Sequence, residues 1–190
     1  MARISLDPPR TVLFRLGAWY SRRVYGAVLD PGKAYAHHAR VLLTTTRLER
    51  GVARWKRLDP TLKSLAVMAV AARIGCSWCL DFGYWDSHGK GVPAAKLRNV
   101  PAWRDHAEVY TDLELLVMEY AEAMTETVPA VTDEMAQCLI ADLGEPAFVE
   151  LTAMIAVENL RSRVNSAFGL VGQGFRDRCE IPLRQVASEA

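Results

Sequence analysis

The sequence predicts an all-α protein, a helical bundle organised around one apolar helix. Apolar residues recur at helical spacing along most of the chain, and no segment combines two-residue alternation with hairpin turns. Prolines and capping residues stand before several of these periodic segments. Residues 61–74 are apolar almost all round, which is typical of a helix at the centre of a domain or of an oligomer interface.

The composition is that of an ordinary globular protein. Its 190 residues suit one domain with an extension, and 51% of them are hydrophobic. The formal net charge of +1 lacks the basic excess of a nucleic-acid-binding protein. The N-terminus has no signal-peptide pattern, and the longest apolar run, Leu65–Ala72, is far shorter than the ~20 residues that span a bilayer. We therefore expect a cytoplasmic protein with no nucleic-acid or membrane partner.

Two helical patterns make up residues 1–57, which we interpret as an N-terminal helical extension. The first runs from Thr11 to a stop near Asp30, with apolar residues at positions 12, 14, 16, 20, 24 and 28. The second runs from about Lys33 to Leu58. We expect these helices either to cover the core helix or to extend a subunit interface.

A core of residues 58–169 follows, in which each helix has a start or stop signal. Asp59 and Pro60 open the apolar helix as its N-cap and first helical residue. Gly75 ends it, and a second helix begins at the cysteines that follow. Proline, glycine and capping-box signals predict further helices over residues 94–99, 111–128, 132–143 and 146–168. The tail, residues 170–190, is predicted to be irregular.

The Cys-x-x-Cys pair at Cys76 and Cys79 carries the candidate chemistry. Its spacing puts both sulfurs on one helical face, close enough to form a disulfide, to hold half of a metal site or simply to pack in a core. A position at a helix N-terminus favours the thiolate, the form that attacks peroxides and disulfides. The further ligand motif that zinc would need is missing, so we expect no metal and no cofactor. A helix rather than a strand precedes the pair, which disfavours a thioredoxin fold.

Taken together, these elements resemble the alkylhydroperoxidase D/carboxymuconolactone decarboxylase family from Leu58 to Phe168. The resemblance rests on the alanine-rich helix running into Gly-Cys-x-x-Cys, the glycine-terminated helix after it, and the capped helix that ends Tyr-Ala-Glu-Ala-Met-Thr. The segment 158–165 is similar to the closing helix of actinobacterial-type members. The family implies an all-α fold that assembles into homo-oligomers, as dimers, trimers or hexamers. Its alkylhydroperoxidase branch implies peroxide reduction by a cysteine pair with a proton relay, recycled by a dihydrolipoamide-type or other thiol reductant or by a redox partner protein.

The family's site residues carry over only in part. Cys79 takes the position that is expected to meet peroxide, and Cys76 takes the resolving position. The relay glutamate, twelve residues before the first cysteine, is Ser64 here, and the relay histidine, four residues after the second, is Gly83. Without these two groups the leaving alkoxide has no obvious acid and the thiol no obvious base, so we expect peroxidase activity to be weak or absent.

The acidic and imidazole groups that follow the pair in sequence are candidates for auxiliary roles. Asp81 lies two residues after Cys79, but its charge would disfavour a nearby thiolate. His88 lies nine residues after Cys79, about two and a half turns along an ideal helix. Solvated or capping side chains are the simpler interpretation of both residues.

Three functions stay open from the sequence. The first is an antioxidant thiol–disulfide oxidoreductase, a peroxidase whose redox-active centre is Cys76–Cys79 and whose substrate is a hydroperoxide or another small molecule. The second is a carboxymuconolactone-decarboxylase-like lyase that acts on a small carboxylated substrate, although members of that branch commonly lack the cysteine pair. The third is a non-catalytic helical oligomer that has lost the proton relay.

Overall fold

The computed structural model describes residues 2–179. Its α-helices are α1 Val12–Tyr25, α2 Asp30–Tyr35, α3 Ala39–Val52, α4 Pro60–Ile74, α5 Ser77–Gly89, α6 Ala94–Asn99, α7 Asp112–Thr125, α8 Asp133–Leu143 and α9 Glu145–Ala167. Two 3-10 segments, Val100–Val109 and Arg176–Arg178, complete the regular structure. No strand occurs in this part of the chain, so the predicted all-α fold is confirmed. Among the helices of residues 2–179, none has the length and apolar character that crossing a membrane requires.

Helix α4 is the centre of the bundle, as its sequence predicts. Asp59 Oδ1 caps it by accepting hydrogen bonds from the N–H groups of Thr61 at 2.8 Å and Leu62 at 3.2 Å. Gly75, at φ 78°, ends the helix in the left-handed region that glycine adopts without strain. Helices α5, α7 and α9 pack around α4, and five of its residues have no exposed surface: Leu65, Ala66, Ala69, Val70 and Ala71.

Fully buried side chains from α7 and α9 face this central helix. Val117 and Met118 of α7 and Leu151 and Ile155 of α9 have no exposed surface. Alanines on α4 allow the neighbouring helices to come close, because interaxial distance depends on the side chains at the contact. Burying a side chain such as leucine or isoleucine contributes about 1.5–3 kcal/mol. The contact among α4, α7 and α9 is therefore the main source of hydrophobic stabilisation.

The N-terminal helices differ from their prediction at two points. Helix α1 ends at Tyr25 rather than near Asp30, because Gly26 adopts φ 72° and closes the helix. The second predicted helix is split into α2 and α3. His38, at φ −135° and ψ 97°, leaves the helical conformation, and its Nδ1 accepts the N–H of Val41 as the N-cap of α3. The sequence predicted a single helix because apolar periodicity does not reveal that a histidine caps α3.

Both ends of the described chain return to the cysteine end of the bundle. Arg3 donates from its backbone N–H to the carbonyl of Phe168 at 2.7 Å and from Nη1 to that of Ser166 at 2.7 Å, which ties the N-terminus to the end of α9. After α9 the chain runs back along α5, and we call residues 169–176 the C-terminal strap. Residues 170–176 of the strap belong to the predicted irregular tail, of which residues 180–190 lie outside the described part.

Candidate functional site

Cys76 and Cys79 form a disulfide where α4 gives way to α5. Their sulfurs are joined at 2.15 Å and their Cα atoms lie 5.3 Å apart, so the prediction that the two sulfurs can meet is confirmed. Cys76 is the N-cap of α5, and its sulfur accepts the N–H of Cys79 at 3.2 Å. This hydrogen bond and the helix N-terminus both favour negative charge on the Cys76 sulfur once the disulfide is reduced.

The disulfide is buried beneath apolar side chains. Cys76 is 1% exposed and Cys79 is 6% exposed. The side chains around them come from α4, from α5, from the residue before α2 and from both ends of the described chain: Ala71, Trp78, Leu170, Leu6, Leu29, Phe82 and Phe168. A reactant therefore has to pass the chain ends to reach either sulfur.

Gln173 fixes the C-terminal strap over the disulfide. Its Oε1 accepts hydrogen bonds from Nε1 of Trp78 and from the N–H of Asp30, both at 2.9 Å. Its Nε2 donates to the carbonyl of Val28 at 3.3 Å. One side-chain amide thus joins the strap, the helix that carries the cysteines and the start of α2.

The carboxylate of Asp81, a predicted auxiliary residue, also holds the strap. Its Oδ2 accepts the N–H groups of Gln173 at 2.7 Å and Phe175 at 3.1 Å, and its Oδ1 accepts that of Arg176 at 2.8 Å. The strap approaches closely here, since a Cβ on Gly172 would lie 3.2 Å from the Asp81 side chain. Three backbone donors fix this carboxylate, and no hydrogen bond joins it to a sulfur within residues 2–179.

His88, the other predicted auxiliary residue, lies in the last turn of α5. Its ring stacks on that of Tyr84 with 6.2 Å between the ring centroids. An ideal helix places it about 13 Å along the axis from Cys79. The structure therefore does not bring His88 to the disulfide.

Packing leaves little room for a larger side chain at the relay position Gly83. A Cβ on Gly83 would lie 2.8 Å from Sδ of Met68, and Met68 is 2% exposed. The methionine thus fills the space that a histidine at this position would need. Ser64 is buried one turn before Met68 on α4. An acid or base for the cysteines has to come from another helix.

Helix α9 supplies a polar contact to the disulfide. Nδ2 of Asn165 donates to Sγ of Cys79 at 3.4 Å, and Asn165 is 3% exposed. A hydrogen-bond donor directed at a sulfur favours its thiolate over its thiol. Sequence reasoning included Asn165 in the family-like closing segment but gave it no role, because its contact with Cys79 joins residues 86 positions apart.

A buried carboxyl lies on the same face of α9 as Asn165, with Ser162 between them. Glu158 is 3% exposed. Its Oε1 accepts the hydroxyl of Ser162 at 2.8 Å, and its Oε2 accepts Nη1 of Arg161 at 3.3 Å. Arg161 also pairs with Glu49 of α3. Burial raises the pKa of Glu158 to about 7, although Arg161 and Ser162 oppose the rise.

Two tyrosines of the N-terminal helices lie close to this carboxyl cluster. Burial raises the pKa of both Tyr25 and Tyr35, and the charges of Glu49 and Arg161 act on both hydroxyl groups. The ring of Tyr25 also packs edge-on against Phe82, with 5.6 Å between centroids. The extension therefore reaches both the carboxyl cluster and the aromatic cover of the disulfide.

The remaining polar residues of the closing segment hold α7. Nδ2 of Asn159 donates to Oγ1 of Thr125 at 3.0 Å, and Nη2 of Arg163 donates to the carbonyl of Thr125 at 2.9 Å. These bonds satisfy groups in the last turn of α7. Asn159 and Arg163 thus fix the end of that helix.

Fold and site together define a class of protein, an all-α bundle in which a Cys-x-x-Cys disulfide begins the helix after the central one. No three His, Cys, Asp or Glu side chains within residues 2–179 are placed to hold a metal ion.

The model of the carboxymuconolactone decarboxylase family matches residues 39–123. The uncharacterized protein YnjA of Escherichia coli K12 is 33% identical over 172 residues, which are 90% of this chain and 92% of that protein. The chain belongs to the carboxymuconolactone decarboxylase family, and the resemblance found in the sequence is confirmed.

Solved structures share the fold at low sequence identity. An uncharacterized peroxidase-related protein from Silicibacter sp. TM1040 matches with a TM-score of 0.82 at 13% identity, over 94% of each chain. The debrominase Bmp8, solved in complex with 2,3,4-tribromopyrrole, matches with a TM-score of 0.78 at 16% identity, over 95% of this chain and all of that one (100%). At these identities the likeness establishes the fold alone.

Proposed function

We propose that this protein is a thiol–disulfide oxidoreductase that reduces hydroperoxides, with Cys79 as the attacking cysteine and Cys76 as the resolving one. The observation that carries the proposal is the bonded pair itself, in which each sulfur also accepts an N–H hydrogen bond. Two such cysteines can pass between dithiol and disulfide without a change of backbone fold. The likeness to a peroxidase-related protein supports this choice.

The proposed cycle has four steps. The Cys79 thiolate attacks the terminal oxygen of a hydroperoxide, the O–O bond breaks, and a sulfenic acid and an alkoxide form. The alkoxide takes a proton and leaves as an alcohol. The Cys76 thiol then attacks the sulfenic sulfur, which closes the disulfide and releases water. A dithiol reductant of the dihydrolipoamide type restores the pair and is itself oxidised to a disulfide.

Glu158 is the group that we propose as the proton source in place of the missing relay. Its pKa of about 7 means that both protonation states are populated at neutral pH. Ser162 and Asn165 follow it along one face of α9 towards Cys79. A glutamate on α9 would thus serve where the family's relay uses groups on α4 and α5.

The burial of Cys76 and Cys79 favours a small molecule as the reductant of their disulfide. Both cysteine residues are almost inaccessible, at 1% and 6% exposure. A protein partner would need a wide approach to them, whereas a small dithiol needs only a narrow one. We therefore assign recycling to a small-molecule dithiol.

The test uses the two cysteine variants with a matched third one. Reduced wild type, Cys76→Ser and Cys79→Ser are mixed with cumene hydroperoxide and dihydrolipoamide, and peroxide loss is followed. Cys138→Ser is the control, because Cys138 is a free, exposed cysteine outside the pair. We expect Cys79→Ser to lose at least about 100-fold in rate, and Cys138→Ser to match wild type. A sulfenic-acid trap with mass spectrometry should label Cys79 in the Cys76→Ser variant.

Four outcomes would contradict the proposal. Peroxide loss that survives in Cys79→Ser rules out the attacking role. A trap that labels Cys76 in the Cys79→Ser variant, at the wild-type rate, reverses the two roles. A pair that does not close reversibly under mild oxidant points to the non-catalytic oligomer, and turnover of a small carboxylated lactone by both serine variants points to the lyase.

A further inference from the structure

Helix α1 carries an apolar stripe that nothing within residues 2–179 covers. Ala18 is the buried residue of this helix, and it lies on the inner side. The outer side holds five large apolar residues at helical spacing, each between 46% and 73% exposed: Val12, Leu16, Trp19, Tyr20 and Val24. Single exposed apolar residues are ordinary, but a continuous stripe of this kind marks an interaction surface.

Helix α3 is also short of contacts. Val52, at its last turn, is its buried residue, and Val41, Leu43 and Leu48 are exposed. Isolated helices of about 12–15 residues are marginal in water, and most helix stability comes from packing of one face. Within residues 2–179, these two helices of 14 residues each thus lack the cover that would stabilise them.

The charge of the chain is divided between two regions. Residues 1–57 hold twelve Lys and Arg against three Asp and Glu. Residues 105–160, which include α7, α8 and most of α9, hold thirteen Asp and Glu and no Lys or Arg. The overall charge of +1 hides this separation. The exposed apolar stripe therefore belongs to a basic region, and it would meet an acidic surface favourably.

The same chain offers an acidic surface with apolar residues of its own. Helix α8 has Leu139 as its buried residue, and its exposed positions include Glu134, Ile140 and Asp142. Val128 before α8 and Val149 after it are 82% and 64% exposed. This acidic surface, from Val128 to Val149, thus combines apolar contacts with negative charge.

We propose that the N-terminal extension of one copy docks on the acidic surface of a second copy of this chain. The apolar stripe of α1 supplies the buried contact, and the arginines beside it, at positions 15, 22 and 23, face the carboxylates of α8. Pairing of two extensions with each other is disfavoured because both are strongly basic. The contact joins two different surfaces, so it closes either as a reciprocal pair or as a ring.

Charge reversal on each surface gives the sharpest test. One variant carries Arg15→Glu, Arg22→Glu and Arg23→Glu, and the other carries Glu134→Lys, Asp142→Lys and Glu145→Lys; all six positions are exposed. Each variant alone brings like charges together and should weaken self-association at least about ten-fold. In a reciprocal pair or a ring with an even number of subunits, an equimolar mixture restores opposite charges at every contact and should return to the wild-type assembly. Mass is read by light scattering after size exclusion, and circular dichroism checks the fold.

An apolar change gives an independent measurement. Leu16→Glu on the stripe should shift wild-type oligomer to monomer, whereas Ala95→Glu, an exposed position on α6 outside both regions, should leave the mass unchanged. A monomeric wild type overturns the proposal. The proposal is also overturned if the variant with three acid-to-lysine changes assembles as wild type does, because the extensions would then pair with each other. Failure of the mixture to assemble overturns the proposed pairing of the two surfaces.

Discussion

Apolar side chains are covered around the disulfide but exposed on the N-terminal helices. Around Cys76 and Cys79, residues from α4, α5 and both chain ends leave at most 6% of either cysteine exposed. On α1, Leu16 and Trp19 are 63% and 66% exposed. Both regions are rich in apolar residues, yet within residues 2–179 the first is covered and the second is left open. An apolar face therefore indicates that a surface is to be covered, without indicating which molecule covers it.

The polar side chains of the two regions differ as well: those near the disulfide are hydrogen-bonded within the fold, and the arginines on α1 are exposed. Near the disulfide, Asp81, Gln173 and Asn165 have their hydrogen bonds directed at named partners across the fold. On α1, the arginines at positions 15, 22 and 23 are exposed. Substitutions should consequently cost stability near the site and change association at the extension.

The largest effect is expected in the centre of the bundle. Leu65→Ala should lower the free energy of unfolding by about 2–5 kcal/mol, because Leu65 has no exposed surface and a cavity would form. Urea unfolding followed by circular dichroism measures the change. A loss below about 1 kcal/mol would mean that α4 is not the tightly packed centre.

Glu158→Gln should alter how stability depends on pH. The pKa of Glu158 is raised from 4.5 to about 7 by burial, so folding binds a proton between these values. Wild type should lose stability as pH rises from 4.5 to about 7, by up to the order of 3 kcal/mol, and the glutamine variant should lack this component. Arg161, Glu49, Tyr25 and Tyr35 are the charged and titratable groups that act in this cluster.

A second buried carboxyl on α9 provides the control for this pH effect. Burial raises the pKa of Glu150, but hydrogen bonds from Lys63 and from the backbone of Arg57 outweigh it and the net shift is downward. Its contribution to stability is present above pH 4.5 and is lost as pH falls. Thermal melts of Glu150→Gln should thus show a loss at neutral pH. Identical pH profiles for the two variants would contradict the assignment.

Asp81→Asn should release the C-terminal strap at a smaller cost. The amide NH2 would face at least one backbone N–H that the carboxylate now satisfies, at a cost of about 1–3 kcal/mol. We expect faster hydrogen exchange at residues 173–176 and faster reduction of the disulfide by a water-soluble phosphine. Asp86→Asn, on the same helix and in an exposed pair with Lys90, is the control and should change neither rate. An unchanged reduction rate in Asp81→Asn would show that the strap does not limit access.

The smallest effect on folding is expected on α1. Leu16→Ala should change the free energy of unfolding by less than about 0.5 kcal/mol when measured on dilute monomer, since Leu16 is 63% exposed. The same substitution should still weaken self-association in concentrated samples. A large loss in the dilute monomer would mean that Leu16 packs within its own chain.

The sequence predicted those features that depend on neighbouring residues. Asp59, Pro60 and Gly75 mark the ends of α4, and the Cys-x-x-Cys spacing let the two sulfurs meet, because caps and helical spacing act within a few residues. The division of charge between residues 1–57 and residues 105–160 was not among these predictions, because the net charge of +1 conceals it. These predictions needed no knowledge of tertiary contacts.

Contacts between distant segments could not be predicted in this way. Asn165 reaches Cys79 across 86 positions, and Asp81 reaches Gln173 across 92. Neither residue type is unusual where it occurs, so no local pattern distinguishes it from a solvated side chain. The space taken by Met68 beside Gly83 is likewise a packing result that spacing alone does not give.

The cover of the disulfide has a consequence for the order in which the protein is made. Arg3 meets Phe168, and Gln173 meets Asp30, so the cover joins segments 165 and 143 positions apart. Ribosomes release chains from the N-terminus, and contacts between distant segments form late. During synthesis, Cys76 and Cys79 leave the ribosome nearly a hundred residues before the strap that shields them. The nascent chain therefore presents two uncovered thiols to cellular oxidants and reductants, and this exposure ends only after the strap has been synthesised.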